Sequence, residues 1–241
     1  MSQENGNRKE LQNRIVAIIG RKGSGKSTML AERLKTADRL VVFDPLSEHC
    51  GKKGWLPNEI SSLPELEAFF RWNRKRSQFG AGYVPDENLE EEVEGVARIL
   101  YQRGNLVFGI EEVPLICSPS YLPPVLGKLI RTGRHRQIDI TWTAQRASEC
   151  ARTLTSLTDE FVLFSQTEPR DLDAIAARCG NEVAHKVGEL GRHDYITWDV
   201  GSRRLVEHSG TATETQTQAA GVRYAVENGG GVRIARRHQT I

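Results

Sequence analysis

The sequence has few cysteines, no long apolar run and almost no net charge, and each shortage excludes a class of protein. The four cysteines are widely spaced and form no CxxC pair, so they predict reduced thiols rather than a disulfide framework or a zinc site. The longest apolar run, residues 15–19, is far shorter than the roughly 20 residues that cross a bilayer. The polar start of the chain lacks the apolar region of a signal peptide. We therefore expect a cytoplasmic protein with no membrane partner.

The balance of charges limits how the protein could meet a polyanion. Lys and Arg number 33 against 31 Asp and Glu, which gives a formal net charge of +2. So small an excess gives no overall attraction for nucleic acid, and any polyanion would have to meet a local basic patch. The 241 residues, 38% of them hydrophobic, are enough for one large α/β domain with its own core.

Short apolar runs alternate with amphipathic segments along most of the chain. The predicted strands are residues 15–19, 40–43, 105–110, 138–143 and 160–164, and the predicted helices are residues 26–36, 65–76, 87–103, 122–134 and 169–179. Residues 47–64 read as a loop. Alternation of this kind predicts a mainly parallel sheet with helices on both faces. Residues 193–198 and 203–207 flank a turn and predict an antiparallel hairpin at the edge of the sheet.

These patterns divide the chain into three parts. Residues 1–13 are a polar N-terminal segment, residues 14–208 form one domain, and residues 209–241 form a tail. The tail begins with a Thr-rich stretch typical of a linker. Beyond it, alternating apolar residues around a glycine turn predict a small terminal hairpin.

A glycine-rich loop stands between the first predicted strand and the first predicted helix. Its sequence, GRKGSGKST, matches the phosphate-binding pattern GxxxxGK[ST] in the context that the pattern requires. Glycines and the helix N-terminus direct backbone N–H groups at phosphates, Lys26 reaches the β- and γ-phosphates, and Ser27 is a ligand for Mg²⁺. The predicted cofactors are therefore ATP and Mg²⁺. The predicted nucleotide contacts are Gly20, Gly23, Ser24, Gly25, Lys26, Ser27 and Thr28.

Two consecutive carboxylates follow the third predicted strand. We predict that Glu111 holds the metal with Ser27 and that Glu112 orients or deprotonates the attacking water, as in an ATP hydrolase. Such strands more often end in Asp-Glu, so the longer side chain of Glu111 must be accommodated. The alternative is a pair of solvated carboxylates at a strand end. Asp44, after the second strand, either contacts the nucleotide site or caps the following loop.

Two basic segments in the domain are candidates for contact with phosphates. Residues 71–76, RWNRKR, combine cations with an aromatic ring and could line a DNA path as a helix face, or could be a solvated surface. Residues 131–136, RTGRHR, are the second segment, for which the alternative is a solvated helix end with cations beside the helix dipole. Arginines near the C-terminus, at residues 233–237, could contact DNA, a docking protein or the next subunit.

The order of the motifs resembles the FtsK-HerA family of P-loop ATPases over residues 14–207. The motifs are GRKGSGKST, VVFDP, LVFGIEE, RTGRHR followed by a strand and TAQR, and FVLFSQTEPRDLDAIAARCG. The compact size is similar to that of the genome-packaging ATPases of prokaryotic viruses. The resemblance implies a RecA-like core and ATP hydrolysis coupled to the movement of double-stranded DNA through a ring, expected to be a hexamer or pentamer. A capsid or portal protein is a further candidate partner, and the expected place is the host cytoplasm or the virion. The sequence shows no base-reading module, so contacts to DNA are expected to be to its backbone.

The resemblance assigns roles to two further residues. Gln145, at the end of the fourth strand, would sense the γ-phosphate. Arg134 would be the arginine finger that reaches into a neighbouring subunit, with Arg131 as the second candidate. The alternatives for the whole protein are a nucleotide or small-molecule kinase, an assembly or secretion ATPase of the same family, and a module that binds ATP without hydrolysing it.

Overall fold

A computed structural model of the protein describes residues 13–51 and 54–210. The strands are β1 (Ile15–Ile19), β2 (Arg39–Phe43), β3 (Glu59–Ile60), β4 (Phe79–Tyr83), β5 (Leu106–Ile110), β6 (Ile138–Ala144), β7 (Glu160–Phe164), β8 (Tyr195–Asp199) and β9 (Arg204–His208). The α-helices are α1 (Lys26–Leu34), α2 (Leu63–Trp72), α3 (Leu89–Arg103), α4 (Pro124–Thr132), α5 (Arg152–Ser156), α6 (Pro169–Cys179) and α7 (Asn181–Glu189). No helix in these two ranges is both long enough and apolar enough to span a membrane.

The strands form one nine-stranded sheet in the order β3-β4-β2-β5-β6-β1-β7-β8-β9. The first seven strands in this order are mutually parallel, and β8 and β9 extend the sheet as an antiparallel edge. Alternate residues of β1 face two separate apolar clusters, one containing α3, α4 and α6 and the other containing α1. The predicted α/β class, the mainly parallel sheet with helices on both faces and the antiparallel edge hairpin are thus confirmed.

Parallel pairing brings the carboxyl ends of the central strands to one edge of the sheet. Gly20, the residue after β1, donates its backbone N–H to the carbonyl of Ala144 at the end of β6, at 3.1 Å. Glu111, the residue after β5, donates its backbone N–H to the carbonyl of Phe43 at the end of β2, at 2.9 Å. The loops after β1, β2, β5, β6 and β7 therefore meet at this carboxyl edge, where the predicted site residues lie.

The prediction for the segment between β2 and α3 was wrong. The predicted loop at residues 47–64 contains the short strand β3 and the start of α2, and the strand β4 was not predicted. Helix α2 ends at Trp72 instead of residue 76, because the Asn73 side chain donates to the carbonyl of Phe69 at 2.8 Å and closes the last turn. The cations at positions 74–76 therefore lie in a turn and not on a helix face. The terminal hairpin predicted within residues 209–241 lies outside the described residues.

Glycines explain why β4 escaped prediction, since the strand FGAGY has a low intrinsic preference for β structure. A Cβ atom at Gly82 would overlap the Sγ atom of Cys50 and stand 3.1 Å from a methyl carbon of Leu56. Cys50 and Leu56 belong to the segment between β2 and β3, which with α1 covers this face of the sheet. The absence of a side chain at Gly82 is therefore what lets that segment pack directly on β4.

We predict that Gly82→Ala lowers the free energy of unfolding by about 1–3 kcal/mol, because the added methyl group displaces Cys50 from a packed layer. The control is Gly188→Ala in α7, where the new Cβ would be 3.7 Å from Leu172 and the helix gains up to about 1 kcal/mol. Urea unfolding followed by circular dichroism measures both. Adding Cys50→Ala to Gly82→Ala should recover part of the loss; a Gly82→Ala protein as stable as the wild type would contradict this packing.

Candidate nucleotide and metal site

The glycine-rich loop connects β1 to α1 with the backbone geometry that phosphate binding requires. Gly23 and Gly25 have φ angles of 74° and 107°, in the left-handed region that favours glycine, and Gly25 is the N-cap of α1. The Ser24 hydroxyl is buried and has no hydrogen-bond partner in the described part of the chain. A phosphate oxygen would offer that hydroxyl an acceptor, so the loop fits the phosphate chain of a nucleotide.

Lys26 lies at the start of α1 and is only 7% exposed. Its ammonium group donates to the carbonyl of Arg21 across the loop, at 3.3 Å. Burial lowers the pKa of Lys26, while the carboxylates of Glu112, Glu111 and Glu48 act in the opposite direction. The buried ammonium group therefore lies across the glycine-rich loop, where an incoming phosphate would be a charged partner for it.

Ser27 and Glu111 are close enough to share a divalent cation. The Ser27 hydroxyl is 3.2 Å from Oε1 of Glu111 and 2.6 Å from Oε2 of Glu48. Adjacent oxygen ligands of an octahedral Mg²⁺ at its usual bond length are about 2.9 Å apart, so the Ser27 and Glu111 oxygens fit this metal. Glu48 was not predicted from the sequence, since it comes from a loop whose path the sequence does not reveal.

The second carboxylate oxygen of Glu111 is held by a histidine. Oε2 of Glu111 is 2.5 Å from Nε2 of His49, and both side chains are only 2% exposed. The other ring nitrogen of His49, Nδ1, accepts a hydrogen bond of 3.0 Å from the indole N–H of Trp55. Thus the longer side chain of Glu111 is accommodated by a buried partner that the sequence analysis did not identify.

Asp44 caps the loop that follows β2. Its fully buried carboxylate accepts hydrogen bonds from the backbone N–H groups of Glu48, at 3.0 Å, and His49, at 2.8 Å. The alternatives for Asp44 were contact with the nucleotide site and capping of the following loop, and these hydrogen bonds show the cap. Through this cap, Asp44 places Glu48 beside the Ser27 hydroxyl and His49 beside the Glu111 carboxylate.

Glu112 is positioned by residues of β6 and the loop after it. Its backbone has the left-handed φ of 52° and donates to the Thr143 hydroxyl at 2.8 Å, while its carboxylate accepts the backbone N–H of Gln145 at 3.0 Å. Burial raises the pKa of Glu112, and the hydrogen bonds from Gln145 together with the charge of Lys26 oppose the rise. A buried carboxylate with a raised pKa is a stronger base than a solvated one.

Comparison with known proteins finds similarity only at the level of structure. No protein-family model matches the chain, and no curated protein matches it by sequence. Among solved structures, the genome-packaging NTPase B204 of Sulfolobus turreted icosahedral virus 2, in complex with AMPPCP, superposes with a TM-score of 0.67 at 19% identity over 83% of this chain and 99% of that chain. The DNA-packaging ATPase B204 of Sulfolobus turreted icosahedral virus gives 0.62 at 21% identity, covering 83% of this chain and 98% of that one. VirB4 of Thermoanaerobacter pseudethanolicus gives 0.51 at 12% identity, covering 87% and 92%.

The chain has the fold of these P-loop ATPases. All three neighbours are of the FtsK-HerA type, so the resemblance indicated by the sequence motifs is confirmed for the fold. With this P-loop ATPase fold, the acidic residues after β5 and Gln145 after β6 lie at the same carboxyl edge as the glycine-rich loop.

The predicted arginine finger lies at the amino ends of the strands, opposite the glycine-rich loop. Arg134 belongs to a short 3₁₀ segment, Gly133–Arg136, that precedes β6, so it is at the amino edge, remote from the P-loop of its own chain. In that segment, Arg136 donates its Nε to the carbonyl of Tyr101 at 2.8 Å and so caps the end of α3. Arg134 and Arg131 are exposed, and neither has a carboxylate partner in the described residues. They remain the two candidates for the arginine finger that the sequence motifs suggest.

Other residues near the P-loop of this ATPase fold were not singled out by sequence reasoning. Gln166, 1% exposed after β7, donates to the Gln145 carbonyl at 2.8 Å and fixes the loop after β6. His193 lies on the turn before β8, with Nδ1 3.2 Å from the Ser24 carbonyl. Both are brought in by tertiary contacts between distant segments, for which a single sequence gives no local pattern.

Proposed function

We propose that the protein is an ATP-hydrolysing motor that moves double-stranded DNA as a ring of identical subunits, for viral genome packaging. The observation that carries the hydrolytic part is the placement of Glu112, whose buried carboxylate is held by the Gln145 backbone and interacts with Lys26 of the P-loop. One neighbour, described as the genome-packaging NTPase B204, was solved with AMPPCP and with ATP-gammaS, which supports a nucleotide in this fold.

The residues of the chain have distinct tasks in the proposed reaction. Lys26 binds the β- and γ-phosphates, and Glu112 accepts the proton of the attacking water. Ser27 and Glu111 would hold Mg²⁺, which neutralises charge on the β- and γ-phosphate oxygens when it is bound. Gln145 holds the Glu112 carboxylate through its backbone N–H at 3.0 Å, so its side chain would lie beside the base, where it could contact the γ-phosphate.

The position of Arg134 supports a reaction completed by a second subunit. Each central strand spans five to seven residues, so at about 3.3 Å per residue the amino and carboxyl ends of the strands are about 17 Å apart or more. An arginine side chain cannot bridge that distance, so Arg134 cannot reach its own P-loop. In a ring, the amino edge of one subunit would present Arg134 to the carboxyl edge of the next.

A basic cavity supports contact with a DNA backbone. A cavity of about 740 Å³ opens at the amino edge of the sheet and is lined by six cations and four carboxylate side chains. Arg14 and Arg33 are paired with Glu160. Four cations in this cavity have no carboxylate partner among the residues that the structure describes: Arg39, Arg74, Lys75 and Arg76. We define Arg74, Lys75 and Arg76 as the basic turn.

Beside the basic turn, Trp72 at the end of α2 is 87% exposed, the most exposed large apolar side chain in the described residues. Cations beside an exposed aromatic ring suit a ligand that has both phosphate charges and an apolar surface. Since no base-reading helix is visible in the described chain, the proposed contacts are to the phosphate backbone and are independent of sequence.

We predict that Glu112→Gln keeps ATP binding and loses about 100-fold or more of its turnover, because an amide cannot accept the water proton. Steady-state phosphate release is measured over a range of protein concentrations, with and without double-stranded DNA, with Glu87→Gln, an exposed carboxylate, as the control. For the wild type, the rate per subunit should rise with concentration and with DNA. Equal turnover of Glu112→Gln and the wild type would refute the base, and ADP formation only with a phosphate acceptor would indicate a kinase.

We predict that Arg134→Ala and Lys26→Ala are each inactive alone and regain turnover when mixed. In mixed rings, a Lys26→Ala subunit still supplies Arg134 to the intact P-loop of its Arg134→Ala neighbour. Phosphate release from a 1:1 mixture, compared with each variant alone, measures the recovery. If Arg134→Ala alone is as active as the wild type, and mixing gives no further gain, Arg134 is not the finger and Arg131 becomes the candidate.

We predict that replacing the basic turn by three alanines weakens binding to duplex DNA and lowers the slope of log affinity against log salt by about 2–3, at 0.9 per lost phosphate contact. The control replaces Arg98, Arg170 and Arg204, which are equally exposed and remove the same charge. Fluorescence anisotropy with two unrelated duplexes measures both. If the two triple variants weaken binding equally, the basic turn is not the contact.

A further inference from the structure

His49 is a buried polar residue that the proposed reaction does not use directly. It lies on the segment between β2 and β3 and is 2% exposed, as is its partner Glu111. Its Nε2 atom is 2.5 Å from Oε2 of Glu111. An imidazole placed this close to a carboxylate that is proposed to bind a metal could determine the orientation of that carboxylate.

The donor and acceptor roles of the two ring nitrogens of His49 follow from their partners. The indole N–H of Trp55 is a donor and has no acceptor capacity, so Nδ1 of His49, 3.0 Å away, must be unprotonated. The neutral ring then carries its hydrogen on Nε2 and donates it to Glu111. This leaves the other oxygen of Glu111, Oε1, directed toward the Ser27 hydroxyl at 3.2 Å.

The backbone of His49 is fixed on both sides. Its N–H donates to the buried carboxylate of Asp44 at 2.8 Å, and its carbonyl accepts the N–H of Leu56 at 3.0 Å. Leu56 in turn packs on the open face of β4 at Gly82. The imidazole therefore projects from a rigid support, which is what a group that orients another side chain requires.

We propose that His49 is a positioning residue. Its hydrogen bond occupies Oε2 of Glu111, so that Oε1 stays free to bind Mg²⁺ beside Ser27. The inference rests on the proposed nucleotide site. A glutamate has one more rotatable bond than the aspartate usual at this position, and the Trp55–His49 pair removes that freedom. Mg²⁺ tolerates little deviation from octahedral geometry, so a Glu111 side chain free to rotate would bind it more weakly.

The test compares His49→Leu, which removes the donor, with His49→Gln, whose amide N–H can replace Nε2–H. Binding of Mn²⁺ in the presence of the non-hydrolysable analogue AMPPNP is measured by the EPR signal of the free ion. Binding of a fluorescent ATP analogue in EDTA provides the metal-free control. We expect His49→Leu to weaken Mn²⁺ binding about tenfold, His49→Gln to stay within about threefold of the wild type, and metal-free nucleotide binding to be unchanged in both.

The possible outcomes separate the positioning role from the site itself. Equal Mn²⁺ affinity of His49→Leu and the wild type would overturn the positioning role while leaving the nucleotide site intact, as would a His49→Gln protein as weak as His49→Leu. If the wild type binds no Mn²⁺ with AMPPNP, both the proposed metal site and the positioning role of His49 are refuted.

A second measurement does not depend on the stability of His49→Leu. In ¹⁵N-edited NMR of the full chain, the histidine signal that is lost in His49→Gln should be that of a neutral ring protonated at Nε2. In Trp55→Phe, which removes the indole donor, the ¹⁵N signals of this ring should no longer be those of the Nε2-protonated form alone. A signal protonated at Nδ1, or at both nitrogens, would contradict the direction of the hydrogen-bond chain.

Discussion

The parallel pairing of β1 with β6 and β7 is the constraint on which the candidate site depends. Hydrogen bonds on both sides of β1 fix its register, so the residue that follows it, Gly20, leaves the sheet level with the ends of its neighbours. The P-loop, Glu112 and Gln145 come from three separate segments and meet only because their strands are parallel and end together. A slip of one residue in β1 would exchange the side chains that face the two apolar clusters and would move Gly20 out of level with the end of β6.

A second constraint links a missing side chain on β4 to the metal site. Because Gly82 has no Cβ, Cys50 and Leu56 can lie directly on the sheet, and the segment that carries them is held close to β5. Asp44 then orders the start of the same segment, which leaves His49 against Glu111. Packing at β4 and geometry at the metal-binding oxygens are therefore properties of one continuous piece of chain, and a change that lifts the segment from β4 would also move His49.

The parts of the protein that the sequence predicted well are those determined by local patterns. The position of the P-loop between β1 and α1, the position of Glu111 and Glu112 after β5, and the edge hairpin follow from residues close together in the chain, whose periodicity and turn chemistry leave little choice. The strand β4 and the role of His49 could not be predicted in this way. Glycines in β4 hide a strand that exists because another segment packs on it. His49 is an isolated histidine whose partners, Trp55 and Glu111, become neighbours only in the folded chain.

The separation of the two edges of the sheet bears on why such a protein would work as an assembly. At its carboxyl edge a single subunit carries the P-loop, the oxygens of Ser27 and Glu111 proposed to hold a metal, and the proposed base Glu112, all held by contacts within one chain. Arg134 and Arg131, the candidate arginine fingers, lie at the opposite edge, more than an arginine's reach away. In the proposed ring, hydrolysis would therefore depend on the distance between two subunits. That dependence makes ATP turnover sensitive to the relative movement of neighbours, which is the coupling that a motor needs.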